Sequence, residues 1–304
     1  MKRSALLLAA LLSCSVAADS DAPKRPRITG IAAVTLVSTD FGKSRYFYHV
    51  LLGFPECQDE MSRQEMMPMC FVVSDRQRIS LESDTPIEGP PLSKFLLDVA
   101  FATSDANSLS SYLKAKGVKV SELRGYQWAW KDFTAIDPEG HLIRFVQFAM
   151  PESQKSDAHP HRMPIIHAGF VVRERTATDH FYKDILGFRP YWHGGMKDDK
   201  DDWVAMQVPD GTDWVEYMLN VSPNADKKEL GVMNHIALGA TDIQAAKAQL
   251  LKNGAKLTED PQMGRDGKWQ LNVYDPDFTR IEFMEFTPVQ KPCCSDFAGP
   301  HPKP

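Results

Sequence analysis

Phe181-Tyr182-Lys183-Asp184-Ile185-Leu186-Gly187-Phe188 is a second copy of Phe47-Tyr48-His49-Val50-Leu51-Leu52-Gly53-Phe54, which stands 134 residues earlier. Asp137-Pro138-Glu139-Gly140 likewise returns as Asp275-Pro276-Asp277-Phe278, 138 residues later. A helix end closed by glycine and a turn built on Asp-Pro, both repeated at nearly one period, mark a duplicated domain. The copies span residues 28–150 and 163–288, joined by the polar Pro/His/Ser segment 151–162.

Each copy divides again into two units. A unit opens with a short apolar strand: Ile31 to Val37, Leu96 to Ala102, Ile165 to Val172 or Met233 to Ala240. A capping residue then starts a helix: Asp40, Asp105, Thr178 or Thr176, and Asp242 or Thr241. Gly53, Gly117, Gly187 and Gly254 close the helices in the left-handed conformation, and two or three further strands complete each unit. The expected fold class is α+β. Four βαβββ modules pair into two tandem domains, each a curved mixed sheet around a cavity with helices outside.

In the second copy, His167 and His235 open equivalent strands, and Glu216 and Glu282 end equivalent segments. Side chains alternate faces along a strand, so His235, Ala237 and Gly239 share one face and Ile236 and Leu238 the other. Ile281 and Phe283 likewise point away from Glu282. The apolar face packs on helices and leaves imidazole and carboxylate groups free to converge on one divalent ion. In the first copy the corresponding positions read as Ala33, Glu82, Asp98 and Arg144. Ala33 has no ligating atom and Arg144 is itself a cation, so that cavity is expected to be metal-free.

With these motifs in place, the chain resembles the vicinal oxygen chelate superfamily, which includes glyoxalase I, extradiol dioxygenases, methylmalonyl-CoA epimerase and bleomycin-resistance proteins. The resemblance covers nearly the whole chain beyond its first residues. It rests on the strand-one His, the Phe-Tyr-x-x-x-Leu-Gly-Phe helix end, the Asp-Pro turn and the last-strand Glu. It implies that His167, Glu216, His235 and Glu282 ligate one divalent metal: Zn, Ni, Co, Mn or Fe. It also implies an isomerase or lyase acting through a metal-chelated enediolate on a small oxygenated substrate. The proton then moves on Glu216 or Glu282, with Glu282 the favoured base. The alternatives are an extradiol-type Fe(II) dioxygenase using His167, His235 and Glu282, and a non-catalytic small-molecule binder. Against the dioxygenase stand the surplus Glu216 and the absence of histidine from Lys268 to Tyr274.

Substrate contacts are assigned to Trp269, whose Lys268-Trp269-Gln270 context parallels Trp128 and Trp130, and to His193 in a glycine-rich loop. Tyr217 and Tyr274 are read as packing residues, and the acidic run 198–202 as a solvated loop. A net charge of -5 gives no reason to expect nucleic acid, and small molecules are the default partners. No apolar run reaches the ~20 residues of a membrane span.

Residues 1–18 read as an export signal: basic Lys2-Arg3, a short apolar stretch, then Ser15-Val16-Ala17-Ala18 for cleavage. Leu11-Leu12-Ser13-Cys14 also resembles a lipobox, which makes Cys14 a possible lipid anchor. Either way the chain is exported, to the periplasm or beyond, and deprived of the cytosolic glutathione that a lactoylglutathione lyase uses. The pairing of Cys57, Cys70, Cys293 and Cys294 is open, the last two in a Pro/Cys tail, 289–304. Monomer and homodimer both remain open, because one chain carries both units of each cavity.

Overall fold

The computed structural model of the protein describes residues 23–57, 69–83, 95–126, 130–148 and 163–304. The export signal at 1–18, the linker at 151–162 and Trp128 lie outside them.

The chain forms two sheets. The first contains β1 (Ile28–Ser38), β2 (Met69–Ser74), β3 (Gln77–Ser83), β4 (Leu96–Thr103), β5 (Arg124–Tyr126), β6 (Trp130–Ile136) and β7 (Leu142–Phe148). Its strand order is β2-β3-β1-β4-β7-β6-β5. The second contains β8 (Ile165–Val171), β9 (Arg189–Gly194), β10 (Trp203–Gln207), β11 (Trp214–Met218), β12 (His235–Ala240), β13 (Gln262–Met263), β14 (Trp269–Tyr274) and β15 (Arg280–Glu285). From one edge it runs β9-β10-β11-β8-β12-β15-β14-β13, the order of the first sheet with β9 added. The first strands of the paired modules, β1 with β4 and β8 with β12, lie antiparallel at the centre of each sheet. One apolar core fills the helix side of both sheets and runs without a break between them. There Phe101 of the first half meets Phe188 of the second edge to face, with ring centres 5.3 Å apart. The opposite, concave faces carry two smaller apolar clusters.

Local chemistry accounts for most helix boundaries. Helix α1 (Phe41–Arg45, continued by a π-helical turn Tyr46–Leu51) is capped by the Asp40 carboxylate on the Lys43 N–H. Asp105 caps α2 (Ala106–Ala115) in the same way. Asp242, not Thr241, caps α5 (Ile243–Lys252). Gly53, Gly117, Gly187 and Gly254 all have φ between +79° and +90°, which an L side chain resists. One expectation fails. Helix α3 (Arg175–Asp179, continued by a π-helical turn His180–Ile185) starts at Glu174, not at Thr176 or Thr178. The cap comes from the other half, where the Glu139 carboxylate accepts from the N–H groups of Arg173 and Glu174. Asp277 reciprocates by accepting from the Thr39 N–H and hydroxyl. A further short helix, α4 (Lys227–Met233), precedes β12.

Register also corrects one equivalence. β1 and β8 both pair in parallel with the third strand of their module. Ala33 stands opposite Arg78, as His167 stands opposite Trp214. Thr35 then faces Ser80 as Gly169 faces Glu216, so the counterpart of Glu216 is Ser80, not Glu82. The two halves differ by two residues between these strands, which a fixed sequence shift overlooks. Asp98 and Arg144 keep their assigned places and pair at 2.6 Å. A guanidinium and its counter-ion thus occupy the ground where the second half gathers His235 and Glu282.

Candidate metal centre

His167, Glu216, His235 and Glu282 come from four adjacent strands, β8, β11, β12 and β15. Each of these strands also gives apolar side chains to the helix-side core, such as Ala168, Val215, Ile236 and Ile281, so alternation turns the four polar groups to the concave face. On β8 the pairing slips between Ala237/His167 and Leu238/Ile165. This bulge turns Ile166 into the concave cluster beside His167.

The donor atoms converge. His167 Nε2 and His235 Nε2 are 3.0 Å apart. Glu282 Oε2 lies 3.5 Å from His167 Nε2 and 3.7 Å from His235 Nε2. Glu216 Oε2 lies 3.3 Å from His235 Nε2 and 3.9 Å from His167 Nε2. Metal–ligand bonds of about 2.1 Å at right angles put neighbouring donors about 3 Å apart, so the imidazole spacing is that of one edge of a coordination shell. His167, His235 and Glu282 form the compact three-residue cluster, and all three are buried.

Protonation favours a cation at this point. His235 Nδ1 lies 3.2 Å from the Met233 carbonyl, the contact that fixes the ring and turns Nε2 to the cluster. Burial, reinforced by Arg280, lowers the His235 pKa to about 4, so the ring is neutral. Burial pushes the Glu282 carboxyl up, but Arg280 and the two imidazoles outweigh it and hold its pKa down at about 2. Burial also raises Glu216, whose net shift is downward through His235 and His167. Two buried carboxylates and the neutral His235 ring facing one point call for positive charge beyond what Arg280 supplies from one side. The donor set fits a divalent ion.

Several neighbours were not anticipated. Gly169 pairs directly with His235, and a Cβ there would come within 2.0 Å of Cε1 of the imidazole ring. The pattern Ile-His-Ala-Gly held this signal, since position 169 shares the face of His167. Arg280, two residues before Glu282 and on its face, puts Nη2 2.8 Å from His235 Nε2. Trp214 lies against the His167 ring with centres 4.8 Å apart.

Both proposed substrate contacts sit elsewhere. Trp269 alternates with the buried pair Leu271 and Val273 and packs on the helix-side core. Its neighbour Lys268 is the residue that enters the cavity, with Nζ 4.8 Å from the centre of the Trp214 ring. His193 lies on edge strand β9, not in a loop. Its side chain is 49% exposed and is bound to Asp201 at 2.7 Å. Tyr217 is fully buried in the core, as expected, and Tyr274 donates to Glu259 at the rim. In the run 198–202, Asp201 and Asp202 hold His193, Arg175 and Asn220.

The tail folds back over the concave face. Phe297 rests on Tyr191 and Trp192. The Tyr191 hydroxyl lies 2.6 Å from His301 Nδ1, and Gln207 Nε2 donates to the Pro300 carbonyl. Cys57 pairs with Cys70, and Cys293 with its neighbour Cys294.

The family model of the glyoxalase/bleomycin resistance protein/dioxygenase superfamily matches residues 30–145 and 165–283. The chain belongs to this superfamily. Both matched stretches coincide with the two sheets, so the fold is that of two tandem superfamily domains. No curated protein matches the chain. Among solved structures it is similar to homoprotocatechuate 2,3-dioxygenase from Arthrobacter globiformis. There the identity is 18% and the TM-score 0.60, over 86% of this chain and 80% of that one. It is also similar to the Brevibacterium fuscum enzyme in its anaerobic complex with 3,4-dihydroxyphenylacetate, at 20% identity and TM-score 0.59, over 92% and 85%. At these identities the likeness speaks for the fold. Among the described residues no helix is long and apolar enough to cross a membrane.

Proposed function

We propose that this protein is an exported metal-dependent isomerase or lyase, with His167, Glu216, His235 and Glu282 holding one divalent ion. The observation that supports this reading is the second carboxylate. Glu216 stands 3.3 Å from the same imidazole nitrogen that Glu282 approaches at 3.7 Å. A divalent ion held by these residues would supply Lewis-acid stabilisation of negative charge on substrate oxygen. The two histidines position that ion from the floor of the cavity. Glu282, 4% exposed and beside Arg280, is the fixed carboxylate, whereas Glu216 keeps 12% exposure on the open side. The proton-moving role therefore passes from Glu282, favoured on sequence, to Glu216. It takes the C–H proton next to the substrate carbonyl and returns it to the neighbouring carbon.

The test is metal content and proton exchange in the same preparations. Glu216→Gln is expected to keep metal and lose deuterium wash-in from D2O into hydroxyacetone. Glu282→Gln is expected to lose metal. Full wash-in by Glu216→Gln would remove this residue from the mechanism.

A second reading, an extradiol Fe(II) dioxygenase, is favoured by the compact His167, His235, Glu282 cluster and by the dioxygenases among similar structures. Against it, the concave side of β14 offers Gln270, Asn272 and Tyr274 and no histidine. Oxygen uptake on catechol by Fe(II)-loaded Glu216→Gln would favour this reading.

A further inference from the structure

Lys268 is a fully buried ammonium with no hydrogen-bond partner among the described residues. Its side chain is 0% exposed, and Nζ has no acceptor within reach. Around it stand the rings of Trp214, Phe297 and Tyr191, with centres 4.8, 5.2 and 5.5 Å away. Ring faces attract a cation but accept none of its three N–H bonds in full. Burial at such a cost is uncommon unless another group completes the site.

The position ties it to the metal centre. Trp214 touches His167 on one side and Lys268 on the other, each at 4.8 Å, so the ammonium lies within about 10 Å of the His167 ring. A divalent ion would cancel Glu216 and Glu282, and Glu259, bound to Asn272 and Tyr274, faces the side of Arg280, which leaves Asp266 as the buried acid next to Lys268. The Asp266 carboxylate is already engaged by the Lys268 and Gln270 N–H groups and offers Nζ no direct contact. Open donors, an aromatic wall and a buried ammonium without a contacting counter-ion describe a receptor for a small anion with an apolar body.

We propose that Lys268 receives the carboxylate of the substrate, so the substrate class is a small oxygenated carboxylic acid whose acid group lies apart from the oxygens that meet the metal. This rests on the metal-centre reading for its second half only, because the anion receptor itself is testable without metal. Lys268 is the specificity-determining contact and Phe297 of the tail closes the receptor over the bound acid.

The experiment compares benzoate with benzamide, which match in size and differ in charge. Binding is measured by calorimetry on the full chain, first after chelator treatment and then with Co(II) restored. Metal content is determined separately. In the metal-free protein, benzoate is expected to bind at least ten-fold more tightly than benzamide. Lys268→Met is expected to erase that preference, and Lys268→Arg to keep part of it. Lys268→Met removes a buried charge at nearly constant volume, so its melting temperature should hold or rise. Equal binding of both probes by the native protein, or an undiminished benzoate preference in a folded Lys268→Met, overturns the proposal. Benzoate selectivity without stoichiometric Co(II) would uphold the receptor and instead sink the metal reading.

Discussion

The Tyr48 hydroxyl donates to Asp275 Oδ2 at 2.9 Å, from the helix of one domain to the Asp-Pro turn of the other. Tyr182 returns the bond to Asp137 Oδ2 at 3.1 Å. Both tyrosines are fully buried, and the two motifs that reveal the duplication are therefore the two halves of the domain interface. The first domain carries both motifs although Ala33, Ser80, Asp98 and Arg144 stand where the second has His167, Glu216, His235 and Glu282. Burial raises the Asp275 pKa to about 6 even against the bond from Tyr48, so losing that bond leaves a poorly solvated acid. Tyr48→Phe and Tyr182→Phe should each cost about 1–3 kcal/mol in urea unfolding. A loss under a few tenths would show that the interface does not depend on these bonds.

Gly169 leaves room for the His235 ring. In Gly169→Ala the ring must leave its place or the strand must shift, with metal affinity falling by about ten-fold or more. Equilibrium dialysis against Zn(II) measures this, with far-UV circular dichroism to show that the sheet persists. Undiminished affinity would mean that His235 does not ligate from its present rotamer.

Acid should destabilise the metal-free protein through His235. Its folded pKa of about 4 lies below its ordinary 6.5, chiefly through burial and then Arg280. The unfolded chain takes up a proton that the folded one refuses. This contribution is therefore complete above pH 6.5 and disappears as the pH falls to about 4, amounting to about 3 kcal/mol at most. Urea midpoints between pH 7.5 and 4 should fall less steeply in His235→Gln than in the native chain. Identical slopes would rule His235 out as the responsible group.

The tail is expected to matter beyond its own contacts. Removing residues 289–304 uncovers Tyr191, Trp192 and Lys268 and takes away the buried surface of Phe297, at a cost of about 2–3 kcal/mol. Burial now lowers the Lys268 pKa to about 8 against the pull of Asp266 and the two glutamates. With water admitted, that pKa should climb towards 10.5, as read by side-chain NMR. A value unchanged at about 8 would show that the tail does not seal the cavity.

The duplication, the four modules, the glycine helix ends and the polar faces of β8, β12 and β15 were legible because each depends on local periodicity and steric rules. His167, Glu216, His235 and Glu282 could be grouped in advance because a strand sends alternate residues to one face whatever surrounds it. The equivalence of Glu216 with Ser80 was not legible, since hydrogen-bond register ignores the two residues that a loop adds. Nor could sequence say which of Lys268 and Trp269 enters the cavity: both lie in one polar-aromatic stretch, and only the pairing of β14 with β15 assigns their faces. The cap on α3 from Glu139 and the tail over Lys268 join residues 35 and some 30 positions apart. Such contacts exist because two sheets share one core and leave a concave face to be covered, which is a property of the assembled chain and of no segment within it.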